Sequence, residues 1–170
     1  MINRESLDSL IEGSDNAWWE PDLFPLQVAP QLPLELEIIS GPPVAAENYN
    51  CFIYALGLET DSEIIKDSSG FIYSAFFQHL LDIDELKAID DPQSGDYVVY
   101  RDSVKYPGHI THVGIIDGES IRSKWAWGPI FRHALLEVPA SYGDEISYIQ
   151  KIDVVRAREL YWKYKAQNIK

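Results

Sequence analysis

Apolar residues change their spacing along this chain, and the changes divide it into regions. Leu7, Leu10 and Ile11 recur at helical spacing and predict a short amphipathic helix over residues 4–12. No period holds from residue 13 to 43, where six of the ten prolines fall (Pro21, Pro25, Pro30, Pro33, Pro42 and Pro43), so an irregular or extended path is expected. Trp18, Trp19, Leu23, Phe24 and Leu26 are too apolar for a free tail. The stretch therefore reads as a lead-in wrapped on the core, with a short strand at residues 35–39. Helical spacing resumes at Cys51, behind Asn50 as cap, and stops near Gly57. It returns over residues 69–82 with Ile72, Ala75, Phe76, His79 and Leu80. Strand-like runs follow at 97–101, 109–116, 121–125, 130–133 and 146–152. Asp117-Gly118 is a tight hairpin turn between the second and third of these. The tail over residues 154–167 reads as a helix with Val155, Leu160, Tyr161 and Tyr164 turned inward.

Helices first, then an antiparallel meander of about five strands, then a helix is the order of an α+β fold. The expected organisation is one domain over residues 1–170: a Pro-rich lead-in (1–43), a core carrying the chemistry (44–152) and a C-terminal helix (153–170). A formal charge of -13 argues against nucleic acid and against anionic membrane surfaces, and it suits a basic protein partner. No apolar run reaches transmembrane length and the N-terminus has no secretory pattern, so a cytoplasmic location is expected, with export by a signal-free route as the alternative.

The single cysteine, Cys51, excludes an internal disulfide and any multi-cysteine zinc site. Its place at a helix start favours a thiolate, because the dipole and free N–H groups there stabilise negative charge. Nucleophilic catalysis also needs a base and a group that orients the base. His112 opens an apolar strand segment and is the favoured base. His109 lies three residues away and would face the opposite side of the strand. Ser123 can accept a hydrogen bond from an imidazole and His133 lies one strand further on, so either fits the orienting role. Arg122 and Lys124 do not, being donors only.

Asn50-Cys51 at a helix start, Gly95-Asp96 turning into a strand, and His112-Val113-Gly114-Ile115 together resemble the NlpC-like branch of papain-fold cysteine hydrolases. A bacterial sub-branch with Asn-Cys, Ser-Lys-Trp, a later His and Tyr-Gly is more similar still; here these are Asn50-Cys51, Ser123-Lys124-Trp125, His133 and Tyr142-Gly143. The resemblance covers residues 48–150. It implies a papain-like fold and cleavage of an amide bond in a peptide, an isopeptide or a glutamine side chain, with Cys51 and His112 as the catalytic pair and no cofactor. Two positions depart from the family pattern: Asn50-Cys51-Phe52 stands where Asp-Cys-Ser is usual, and the third catalytic position falls near Arg122 or Ser123.

Each feature also has a plainer structural reading. A lone cysteine is often a small core residue, and His112, His79 or His133 can be satisfied core histidines. Trp125 and Trp127, with Lys124 just before them, either shape a substrate groove beside Tyr49 and Asn50 or cap the core. His109-x-x-His112 splits across strand faces and no compact ligand spacing occurs, so no metal site is expected. A papain-fold module without catalysis, binding a basic partner, is the competing function.

Overall fold

The structure, a computed structural model, describes residues 2–168. Met1 and the last two residues of the predicted C-terminal segment lie outside the described residues.

The architecture is α+β, built on a single antiparallel sheet. Seven strands are present among the described residues: β1 (Glu37–Ser40), β2 (Ala88–Ile89), β3 (Tyr97–Arg101), β4 (His112–Asp117), β5 (Ser120–Lys124), β6 (Ile130–His133) and β7 (Glu145–Ile149). They lie in the order β1-β6-β5-β4-β3-β7-β2. Beyond the expected five, β1 falls on the short strand expected in the lead-in and joins the sheet edge through Glu37↔Arg132 and Ile38↔Phe131, while β2 is two residues long and has no periodic signal.

Directly paired residues share a face, and the register sorts the sheet into two cores. Tyr97, Val99, Val113 and Ile149 face α2 (Cys51–Ala55), α3 (Ser62–Ser68), α4 (Ser74–Asp82) and α5 (Val154–Asn168), packing on Ile53, Phe77, Leu80, Leu160 and Tyr161. Val98, Tyr100, Ile121 and Phe131 face the other way, onto Leu7 of α1 (Arg4–Gly13) and onto Trp18, Phe24 and Val28 of the lead-in. The lead-in is not a tail: Trp18 is 2% exposed, and its indole N–H donates to the Trp125 carbonyl at 3.1 Å. Its backbone runs through short 3₁₀ and π turns because its prolines deny it a longer helix.

Two elements differ from the sequence expectation. The helix expected over 69–82 begins only at Ser74, and α3, which the sequence reading did not expect, precedes it. Ser69 and Gly70 both take left-handed conformations (φ +53° and +72°), ending α3 and reversing the chain before α4. Gly70 is obligatory there, since a Cβ would sit 2.1 Å from the Asn48 carbonyl oxygen. The strand expected from 109 begins at His112 instead. The Pro107-Gly108 turn, closed by His109 N–H donating to Tyr106 O at 3.0 Å, leaves His109 exposed and off the sheet. The β4–β5 hairpin closes tightly: Gly118 and Glu119 form the turn, and Asp117 pairs with Ser120.

Candidate functional site

Cys51 is the first residue of α2, and its position is fixed from behind. Asn50 caps the helix by accepting from Ile53 N–H (3.3 Å), its amide NH2 donates to Ile72 O (2.8 Å), and its backbone N–H donates to Gly70 O (3.0 Å). With these bonds made, Asn50 is a structural cap, not the substrate-binding group expected from its place beside the thiol.

The ladder between β4 and β5 runs only from Ile115↔Arg122 to Asp117↔Ser120. Nearer the strand ends the ladder between the two strands stops, beside the start of α2. The Val113, Cys51 and Phe52 amides act on the Cys51 thiol by favouring its charged form.

Strand alternation sends the basic and polar residues of β4 and β5 to different sides. Lys124 and Arg122 face the helices. Arg122 donates to the Tyr54 hydroxyl of α2 at 3.3 Å and pairs with Asp117 at 3.1 Å. Lys124 is fully buried beside the Cys51 end of α2. Its ammonium donates to Gly128 O and lies 5.0 Å from the centroid of the Tyr49 ring. His112 pairs with Tyr100 across β3–β4 and so faces the lead-in side, where its ring stacks on Tyr142 (centroids 4.0 Å apart, 14° between planes). Its Nε2 is buried and has no hydrogen-bond partner among the described residues.

Ser123 and His133 do not orient His112; they bond to each other. His133 Nδ1–H donates to Ala134 O (2.8 Å), which leaves Nε2 to accept from the Ser123 hydroxyl (2.8 Å). Ser123 in turn accepts from the Trp125 indole N–H (2.9 Å). This chain has no free member. Trp125 itself is 0% exposed in the lead-in core, against Phe131 and Tyr142, so it forms no groove wall. Trp127 is half-buried, stacks on Phe71, and lines a shallow cleft of about 250 Å³ with Trp19, Ala45 and Asn48. Tyr49 lines a larger one of about 680 Å³ with Pro43, Glu47, Glu59 and Ile65. Tyr49 thus belongs to both the cleft and the Lys124 site.

Burial dominates the electrostatics. It pushes the Cys51 thiol up to about 12, against the pull of the Val113, Cys51 and Phe52 amides and of Lys124. Burial therefore works against the thiolate that the helix start favours. α2 is five residues long, and its partial charge cannot offset a 7% exposed sulfur. Burial brings Lys124 down to about 7, opposed by Cys51. It holds His112 well below its ordinary value, with His133 adding to the effect, and holds Tyr142 well above its own, with Cys51 adding there. It lowers His133 to about 4.

Sequence reasoning did not assign Tyr142 or the Val113 amide to the site. The period-two pattern of β5 could have separated Lys124 from Ser123; no local signal marks the parting of β4 from β5. Among the described residues, no group of three or more His, Cys, Asp or Glu is arranged to hold a metal ion, and no helix is long and apolar enough to cross a membrane. Comparison of the chain with protein-family models, with curated proteins and with solved structures finds no match.

Proposed function

We propose that this chain is a papain-like, NlpC-like cysteine amidohydrolase with Cys51 as nucleophile. One observation carries the reading: the single thiol is the first residue of a helix capped by Asn50 and packed on β4 and β5. Backbone amides at such a position favour a thiolate and the oxyanion formed by its attack on a carbonyl. The Cys51 sulfur attacks the carbonyl carbon of an amide, the amine leaves with a proton, and water cleaves the thioester. His112 and Lys124 are the two basic side chains proposed to handle that proton. The cleft lined by Tyr49 is the proposed approach for a peptide or glutamine-bearing substrate. The reading is tested by release of ammonia or amine from peptide and glutamine amides. Turnover that vanishes in Cys51→Ala supports it; turnover retained in that variant removes it.

The unpartnered His112 Nε2 favours a second reading, since a papain-type histidine is held by a third residue that this site lacks. On that reading the chain is a papain-fold binding module, and its charge of -13 recruits a basic partner. Failure of every amide probe, together with salt-sensitive binding to basic proteins that survives Cys51→Ala, is the outcome that selects it.

A further inference from the structure

The carboxylates around α3 fall into two groups. Asp61 and Glu63 are both ion-paired with Arg158 of α5. Glu47 and Glu59 are in no ion pair among the described residues. Glu59 is half-buried, and its Oε2 is buried without a hydrogen-bond partner among the described residues. Burial holds its carboxyl above the ordinary value, opposed by its own backbone N–H and by Arg122. That arginine is engaged elsewhere: it pairs with Asp117 at 3.1 Å and donates to the Tyr54 hydroxyl at 3.3 Å. A buried carboxylate oxygen without a donor calls for a reason, because nothing offsets its desolvation.

Both unpaired carboxylates line one cleft, the cleft of about 680 Å³ that Tyr49 also lines, and its volume is that of a small-molecule site. Pro43 and Ile65 offer apolar wall to an aliphatic stem, and Tyr49 offers a ring on which a cation can rest. Lys66, exposed on α3, is the one cation among the described lining residues, so two carboxylates face one ammonium. Lys124 is fully buried and does not line the cleft. The chain's charge of -13 adds to the field that draws a cation there.

We propose that this cleft is a subsite for a basic side chain, lysine or arginine, of a peptide, with Glu59 as its counter-ion and specificity-determining residue. The incoming ammonium or guanidinium supplies the donors that the carboxylate lacks, and its methylenes cover Pro43 and Ile65. Binding itself does not depend on catalysis. The consequence for substrate choice rests on the Cys51 hydrolase reading: Tyr49 stands two residues before the thiol, so the amides presented to Cys51 are those close to a lysine or arginine. The substrate class narrows from peptide or glutamine amides in general to basic peptides.

Titration of the isotope-labelled chain with Nα-acetyl-lysine methylamide and Nα-acetyl-arginine methylamide, followed by NMR, reads the subsite. Nα-acetyl-norleucine methylamide is the uncharged control. Cys51→Ala is titrated beside the wild type, so that turnover cannot remove the probe. The charged probes are expected to bind with Kd of about 1 mM or below, shifting the backbone signals of Tyr49, Glu59 and Ile65. They bind at least about tenfold tighter than the norleucine probe. Glu59→Gln, close in shape and uncharged, brings the lysine and norleucine probes within about twofold of each other. Lys66→Met removes the competing cation and binds the charged probes about twofold to fivefold tighter. Charged probes that bind no tighter than norleucine overturn the proposal and require no variant to fold. So do selectivity that survives Glu59→Gln and weaker binding in Lys66→Met. Amide turnover separates the subsite from the hydrolase. On peptide amides carrying lysine or norleucine beside the amide, kcat/KM is expected to favour lysine by at least about tenfold, and Glu59→Gln removes the preference. Charge-selective, Glu59-dependent binding with no turnover leaves the subsite standing and removes the hydrolase. Cys51-dependent turnover equal for lysine and norleucine, with binding blind to charge, keeps the hydrolase and removes the subsite.

Discussion

The Trp125–Ser123–His133 chain on the lead-in face and the Cys51–Lys124 region on the helix face treat their buried polar groups in opposite ways. On the lead-in face Trp125, Ser123 and His133 form one chain from indole N–H to hydroxyl to imidazole to the Ala134 carbonyl, with every donor used. Tyr100 donates to Leu135 O at 2.8 Å on the same side. On the helix face the Cys51 thiol and the Lys124 amine are both buried, and each is displaced from its ordinary protonation range. A satisfied network stabilises its surroundings, while a buried group held in a costly state implies a use that offsets the cost. The residues whose types look most catalytic on β5 and β6, Ser123 and His133, are thus the structural ones. Lys124, which the sequence places in a candidate substrate groove, is the anomalous one.

The contrast can be broken by measurement. The largest effect is expected from Trp125→Ala, which empties a fully buried site in the lead-in core and should lower unfolding free energy by about 3–5 kcal/mol in urea denaturation. A loss below 1 kcal/mol would mean that this core is not packed as described.

Next is acid. The folded value of His133 lies at about 4, below the unfolded imidazole value, so the unfolded state binds the proton first. Its contribution is complete above about pH 6.5 and is lost as pH falls toward 4, a decline of about 3 kcal/mol. His112, lowered in the same direction, adds to it. Thermal melts in that window should show the decline, and in His133→Gln it should shrink.

Lys124→Met tests the helix face with the opposite sign. Removing a buried, unpaired ammonium of similar volume should raise stability at neutral pH by about 1–4 kcal/mol. A loss of stability would mark Lys124 as structural and end the contrast. Ser123→Ala should do the reverse, leaving the Trp125 N–H and His133 Nε2 unpaired and lowering stability by about 1–3 kcal/mol, with Cys51 alkylation unchanged. Altered alkylation in Ser123→Ala would show that the two faces communicate.

Much of the fold was legible because it depends on local period. The amphipathic N-terminal helix, the cap at Asn50, the meander and its hairpin, and the C-terminal helix all follow from spacing and turn chemistry. The break at Ser69-Gly70 was not legible, because Ile72, Ala75 and Phe76 keep helical spacing close behind it while the reversal itself rests on the close approach to Asn48. The start of β4 was misplaced for a similar reason: His109 continues an alternating pattern, but the Pro107-Gly108 turn holds it off the sheet.

What the sequence determined by itself is the inventory and its local order: one thiol at the start of a capped helix, an alternating strand through His112, and an α+β arrangement of elements. Tertiary structure decided which groups meet. Packing of α2 on β4 and β5 brings the thiol beside the sheet. The register of β5 with β6 joins Ser123 to His133 and turns Lys124 toward α2. Pairing of this kind depends on long-range register and on burial, and both arise only when distant segments close on one another, so no local window of the chain contains them.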